Sequence, residues 1–274
     1  MTQDLAPGLY VVATPIGNLG DLSERANTVL KAAEVVAAED TRTSGFLVKR
    51  AGGTGKMVSL TEHNVEARTP VLLQAARDGV VALVSDAGTP VIADPGGRLV
   101  EAAHAGGVNV IPVPGPSALA AAISVSGFEG TDVLFLGFLP KAHGERLTRL
   151  KQASQAASVF VFFESPNRLA KTLTELAEEL SNPEVVVCRE LTKVHEEVIR
   201  GRAAELAQRF AETRGECTVV VRGAIQAPAG GGIDASSLLA AMKRAGARRS
   251  QAASEVAKLT GRKRDELYAE WDSL

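Results

Sequence analysis

Apolar and polar positions along this chain follow two alternating periods. Short β-branched runs, LYVVAT, EVVAAED, VVALVSD and VNVIPV, then VLFLGF, VFVFFES, EVVVCRE and CTVVVRG, are separated by longer stretches of helical period. Runs that short and that apolar are strands covered on both faces, and their alternation with helices predicts an α/β protein. The clearest helical stretches are 22–33, 66–78, 98–105, 168–180 and 203–212, and Asp21 stands where the first would need a cap. Four strands precede the turn-rich GFEGT at 127–131 and four follow it, which predicts two α/β domains, 1–127 and 128–224. Beyond them, AIQAPAGGGID predicts a Gly/Pro linker over 225–233. The remaining 234–274 has no strand signal and breaks at Ala245-Gly246 and Thr260-Gly261, the pattern of a small helix-turn-helix-like module.

Apolar residues make up 45% of the chain but aromatics only 4%, so the core must be aliphatic. The formal net charge of -2 gives no bulk attraction to nucleic acid, yet Lys243, Arg244, Arg248, Arg249, Lys258, Arg262, Lys263 and Arg264 crowd the C-terminal module. Two readings of that local excess stay open, a solvated helical face or contact with phosphates. Cys188 and Cys217 sit inside apolar runs without a CxxC spacing, as buried free thiols in a reducing cytoplasm would. The histidines are scattered and predict no metal site. MTQDLAPGLYVV lacks the basic start, apolar core and cleavage site of a leader, and no apolar run approaches the roughly 18 residues of a membrane span. A soluble cytoplasmic protein without a membrane partner is expected.

In an open parallel sheet, ligands sit outside the carboxyl ends of the strands. Here those ends read TPIGNLGD, EDTR, DAGTPVIADPG and PGPSA, all small, turn-forming or acidic. Gly88 and Gly96 permit positive φ, so the loop between them can lay bare backbone N–H and C=O against a flat ligand, with Asp86 supplying charge. Phosphate signatures fail on inspection. RAGGTGKM has Arg50 where a phosphate loop needs its first glycine and Met57 where it needs Ser or Thr, and no GxGxxG follows a strand.

TPIGNLGD, AEDTR, SDAGTPVIADPG, PGPSA, FFESPNR and RELTKVHEE, in this order, closely resemble the motifs of bacterial small-subunit ribosomal RNA methyltransferases of the tetrapyrrole-methylase-like superfamily. The likeness covers essentially the whole chain, basic tail included. It implies two α/β domains with a cleft between them, S-adenosylmethionine bound folded in that cleft, and a homodimer. It also implies 2'-O-methylation of a cytidine in the decoding region of 16S ribosomal RNA. Carried onto this sequence, the resemblance puts Asp86, Ala87, Gly88, Thr89 and Pro90 along the donor's amino acid and ribose. Pro15 and Gly17 stand beside them, with Ser117 and Ala118 at the neighbouring strand end. From the second domain, Ser165 and the backbone of Glu216, Cys217 and Thr218 are expected to pack on the adenine. Asn167 stands where the family more often has histidine, and GECT is a more polar strand start than usual.

A ribose hydroxyl is a poor nucleophile at neutral pH, and a base that takes its proton adds roughly 10²–10⁴-fold. Asp40 and Arg42 of EDTR and His63 of LTEHN are the candidate catalytic groups on the substrate side. Asp40 and Arg42 read equally as an ion pair locking the loop, and His63 as a helix cap. Lys193, Glu196 and Glu197 are second-domain candidates that read equally as charged loop. Two other functions stay open at this level. One is methylation of a tetrapyrrole, whose carboxylates would want arginines in the cleft; the other is RNA binding without turnover.

Overall fold

The computed structural model describes residues 5–130, 132–224, 235–260 and 262–273. The linker expected at 225–233 lies outside the described residues. The first unit is built from β1 (Gly8–Val12), α1 (Glu24–Ala32), β2 (Val35–Ala38), α2 (Thr41–Arg50), β3 (Lys56–Ser59), α3 (Val65–Asp78), β4 (Val80–Val84), α4 (Gly97–Ala105) and β5 (Val110–Val113). Its sheet runs β3-β2-β4-β1-β5 with every pairing parallel. The strand β4 is buried at all five positions because β1 and β2 flank it and helices cover both faces. Tyr10, Val36 and Val84 pack on one face with α1 and α2, while Leu9, Val81 and Leu83 pack on the other with α3 and α4. Loops after β1 and β4 therefore emerge side by side. Connections from these two strands leave in opposite directions, the place where open α/β sheets form a crevice.

A helix α5 (Ala118–Ser126) leads to the second unit: β6 (Val133–Phe138), α6 (His143–Ala156), β7 (Val159–Glu164), α7 (Pro166–Glu179), β8 (Glu184–Arg189), β9 (Glu197–Arg202), α8 (Ala203–Arg209) and β10 (Cys217–Arg222). The order is β6-β7-β10-β8-β9, and only β6 and β7 run parallel. One face packs on α6, α7 and α8 through Phe160, Phe162, Leu173 and Leu206. The other is covered by α5, whose Ala122 sits among Val159, Val161, Val186 and Val220.

Two details depart from the sequence reading. The cap of α1 is Ser23, whose hydroxyl accepts the Ala26 N–H, while Asp21 falls in a short 3-10 turn capped by Asn18. Strands β3 and β9 were not among the eight apolar runs. Both lie at sheet edges, where one side meets solvent and the sequence is mixed: KMVS and EVIRGR.

The C-terminal helices α9 (Ala235–Arg244), α10 (Arg249–Thr260) and α11 (Arg264–Glu270) close on Leu239, Ala252, Ala253, Val256 and Leu267. Much of the module's positive charge is engaged internally. Lys243 donates to the Trp271 carbonyl, Arg249 pairs with Asp272 and lies over the Tyr268 ring, and Arg262 pairs with Glu270. Among the described residues no helix is long and apolar enough to cross a membrane, and no cluster of His, Cys, Asp and Glu is arranged to hold a metal.

Candidate active site at the strand ends

The loop after β4 folds back onto the end of β1. Thr14 N–H donates to the Gly88 carbonyl at 2.8 Å, Gly88 N–H donates to the Thr14 carbonyl at 3.1 Å, and the buried Ser85 hydroxyl also donates to the Gly88 carbonyl. Gly88 has φ +91°, and a Cβ there would stand 3.2 Å from Ile16 Cγ2, so the position suits glycine on both counts. Further along, Val91 (φ 74°) and Ala93 (φ 64°) also lie in the left-handed region. For a β-branched residue that is a strained conformation, held by its surroundings. Thr89 donates to the Pro116 carbonyl at 3.1 Å and Ser117 caps α5, so the PGPSA turn is tied to the same loop.

Between the two units lies a cavity of about 380 Å³. Asp86, Ala87 and Ala118 line it from the first unit, and Ser165, Glu216, Cys217 and Thr218 from the second. The four second-unit residues come together because β10 runs antiparallel to β7, which sets Cys217 opposite Glu164. Gly88, Thr89, Pro90 and Ser117 do not line the cavity; they shape the turns that do. Pro15 and Gly17 face a neighbouring cavity of about 130 Å³ that shares Asp86 as its wall. Gly17 has a second task. A Cβ on it would collide with the Lys193 side chain and stand 2.9 Å from Thr192 Oγ1, so the TPIGN turn and the RELTK loop touch only because no side chain intervenes.

The candidate catalytic groups separate. Asp40 caps α2 through the Arg42 N–H and is gripped by the Arg42 guanidinium at 2.9 and 3.2 Å. That side-chain bond holds the Asp40 carboxyl at about 2, which makes it a weak proton acceptor. Asp40 N–H in turn donates to Asp86 Oδ1 at 3.1 Å, so EDTR braces the loop after β4. His63 lies off the main cavity, beside an opening of about 470 Å³, and the N-cap position of α3 falls to Asn64, whose side chain accepts the Thr61 N–H and makes no bond to the helix. Lys193 bridges Glu190 and Glu216, Glu196 accepts the Thr192 N–H, and Glu197 pairs with Arg189, so these three hold the second unit's loops together.

Several lining residues were missed: Ile92, Asp94, Phe138, Phe163 and Glu164. Asp94 forms a wall of both the main cavity and the His63 opening. Burial first, then the charges of Glu39 and Asp86, push its carboxyl up to about 6. Its signal was an acid inside a Gly/Pro loop already singled out. Phe138 packs edge-on against Phe163 at 5.4 Å, reached through a register shift in β6 at Gly137. Glu164 is 2% exposed and accepts hydrogen bonds from Ser165 N–H, Arg168 and Thr172. It fixes the start of α7 under the cavity floor. Burial pushes the Cys217 thiol up to about 11 and the Cys188 thiol up to about 12; both are free.

The family described as Tetrapyrrole (Corrin/Porphyrin) Methylases matches residues 8–207. The chain is 44% identical over 271 residues to the Ribosomal RNA small subunit methyltransferase I of Mesorhizobium japonicum, covering 97% of this chain and 92% of that protein. It is 43% identical over 218 residues to the protein of the same name from Thermotoga maritima, a match that spans 98% of that protein but only 78% of this chain. Among solved structures, Uroporphyrin-III C-methyl transferase from Thermus thermophilus complexed with S-adenyl homocysteine shares the fold at TM-score 0.56 and 22% identity, over 78% of this chain and 97% of that one. The methyltransferase CobJ shares it at TM-score 0.61 and 18% identity, over 80% of this chain and 95% of that one.

Proposed function

The chain belongs to the tetrapyrrole methylase family, and from that premise we propose that it methylates the 2'-hydroxyl of a cytidine ribose in the decoding region of 16S ribosomal RNA. The observation that carries the choice of substrate is the charge of the main cavity. Asp86, Asp94, Glu164 and Glu216 line it, and no arginine or lysine does among the described residues. A tetrapyrrole bearing several carboxylates would find no cation in these walls to pair with, whereas a ribose hydroxyl needs none. The near full-length identity to ribosomal RNA methyltransferases points the same way.

The same walls suit S-adenosylmethionine, a cation at its sulfonium and ammonium groups, and the bare turns at Ala87 and Ala118 leave room for its flat adenine and ribose. Bound there, the donor supplies an electrophilic methyl carbon. The chain's own residues do the rest. Asp86 and the Ser165 to Thr218 wall hold the donor site, and Phe138 and Phe163 keep water from one side of it. Asp94 accepts the ribose proton. It stands on the wall that the main cavity shares with the His63 opening, and its proton affinity lies near working pH, where a general base is most effective. Asp40 and Arg42 brace the loop and leave a guanidinium exposed for a phosphate.

The test is transfer of labelled methyl from S-adenosylmethionine to 30S subunits lacking the modification, followed by mapping of the product. Label on one ribose 2'-oxygen in the decoding region is expected. Donor binding without label on RNA would return small-molecule substrates to first place.

A further inference from the structure

The cavity of about 130 Å³ beside the donor site is not used by the reaction as described so far. The turn after β1 walls it with Pro15, Gly17 and Leu19, the first turns of α2 with Ser44 and Phe46, and the end of β4 with Asp86. Two features mark it as built for a ligand. Ser44 is 3% exposed, yet its hydroxyl has no hydrogen-bond partner. It does not bond the carbonyl of Asp40 one turn back, the usual recourse of a helical serine, and a buried hydroxyl left so is a standing cost to the fold. Phe46, one of 8 phenylalanines in an aromatic-poor chain, is 59% exposed at the same cavity, where burial elsewhere in the core would have served the fold better. An exposed aromatic face with an unspent hydrogen-bonding hydroxyl beside it is the pair of contacts by which proteins hold an unstacked nucleobase.

Resting on the RNA reading above, we propose that this cavity receives the nucleobase of the nucleotide being methylated. Phe46 provides the stacking face, and Ser44 Oγ, which is closed to solvent, bonds the polar edge of the base once a change of its χ1 rotamer turns it into the cavity. Asp86 is the wall common to this cavity and the donor cavity, so a base seated on one side leaves its ribose at the mouth of the other. A volume of about 130 Å³ is of the order of a single heterocycle. Ile16, between Pro15 and Gly17, lines the donor cavity, so one turn serves both sites from its two sides.

The experiment pairs two substitutions with two readouts. Phe46→Ala should lower kcat/KM for 30S subunits by roughly 5- to 150-fold, the range for loss of one base stack, with Phe46→Trp close to wild type and donor affinity within about twofold in both. Ser44→Ala should lower kcat/KM by roughly tenfold while raising the melting temperature, because it removes an unpaired buried hydroxyl; a hydroxyl with only a structural role would leave turnover unmoved. Unchanged kcat/KM in both Phe46→Ala and Ser44→Ala overturns the proposal. The second readout does not depend on turnover. A short oligoribonucleotide carrying 5-iodocytidine at the target position is irradiated with the full chain and S-adenosylhomocysteine, and attachment is mapped by mass spectrometry. Attachment at Phe46 supports the pocket even if no methyl reaches RNA, the result that would sink the broader reading alone. No attachment at Phe46 overturns the pocket, whether or not the methyl assay succeeds.

Discussion

The two units meet at one cavity but contribute to it in opposite ways. The first sheet is parallel throughout, so its strand ends fall on one edge and its contribution is loop: bare backbone, glycines, and residues such as Val91 in a strained conformation. The second sheet is mixed, and its contribution is a wall already tightened by buried hydrogen bonds, with Glu164 held by Arg168 and Thr172. Chemistry placed on the loops is adjustable because those residues carry little of the buried core, whereas the wall cannot change without cost to the fold. Rate should therefore reside mainly in the first unit and stability in the second.

The largest effect expected is on rate, at Asp94. Asp94→Asn should lower kcat by roughly 10²–10⁴-fold with donor affinity unchanged, and wild-type kcat should fall as pH drops below about 6, where the carboxyl takes up its proton. The stability sign is opposite. A carboxyl raised from 3.8 to about 6 binds its proton more tightly in the folded chain, so its charge destabilises above about 6, and that penalty is gone below about 3.8. Asp94→Asn should thus be more stable than wild type at pH 8, by about 1 kcal/mol after allowance for its half-exposed setting, in urea titrations. Next comes Glu164→Ala, expected to cost about 3 kcal/mol by leaving Arg168 and Thr172 without their buried partner, with kcat changed far less than in Asp94→Asn. A Glu164 variant with full stability and lost turnover would break the division of labour. The smallest effects belong to the periphery. Arg42→Ala should weaken RNA binding a few-fold and reduce its salt dependence by about one phosphate contact, and removing 234–274 should weaken RNA binding while sparing the donor.

What could be read from the sequence follows from how completely each element is covered. Strands such as β4 and β10, covered on both faces, had to be written as unbroken apolar runs. Edge strands β3 and β9 had no such obligation and went unseen. The loop after β4 was legible as a candidate ligand loop because Asp, Gly and Pro cluster directly behind an apolar run, and its assignment to a methyl donor came from the family resemblance. Asp94 was not, since its proton affinity depends first on burial and then on Glu39 and Asp86, which other strand ends bring near. The pairing of β7 with β10, which delivers Ser165 and Cys217 to one place, is a matter of strand direction that local periodicity does not record. Nor did anything local in TPIGN disclose that Gly17 is small for the sake of Lys193, about 175 positions away.

Cys217 lines the same cavity as the acidic residues. A sulfonium methyl donor is an alkylating agent, and an enzyme that seats one against a cysteine risks poisoning itself. The hazard scales with the anionic form of sulfur, and a group ionising at about 11 is in that form at neutral pH only about once in ten thousand molecules. Burial, which leaves Cys217 4% exposed in the core cluster at the edge of the cavity, disarms its sulfur. A substitution that opened the Glu164 to Cys217 edge to water would remove that protection, and the enzyme would consume itself slowly, one irreversible thioether at a time.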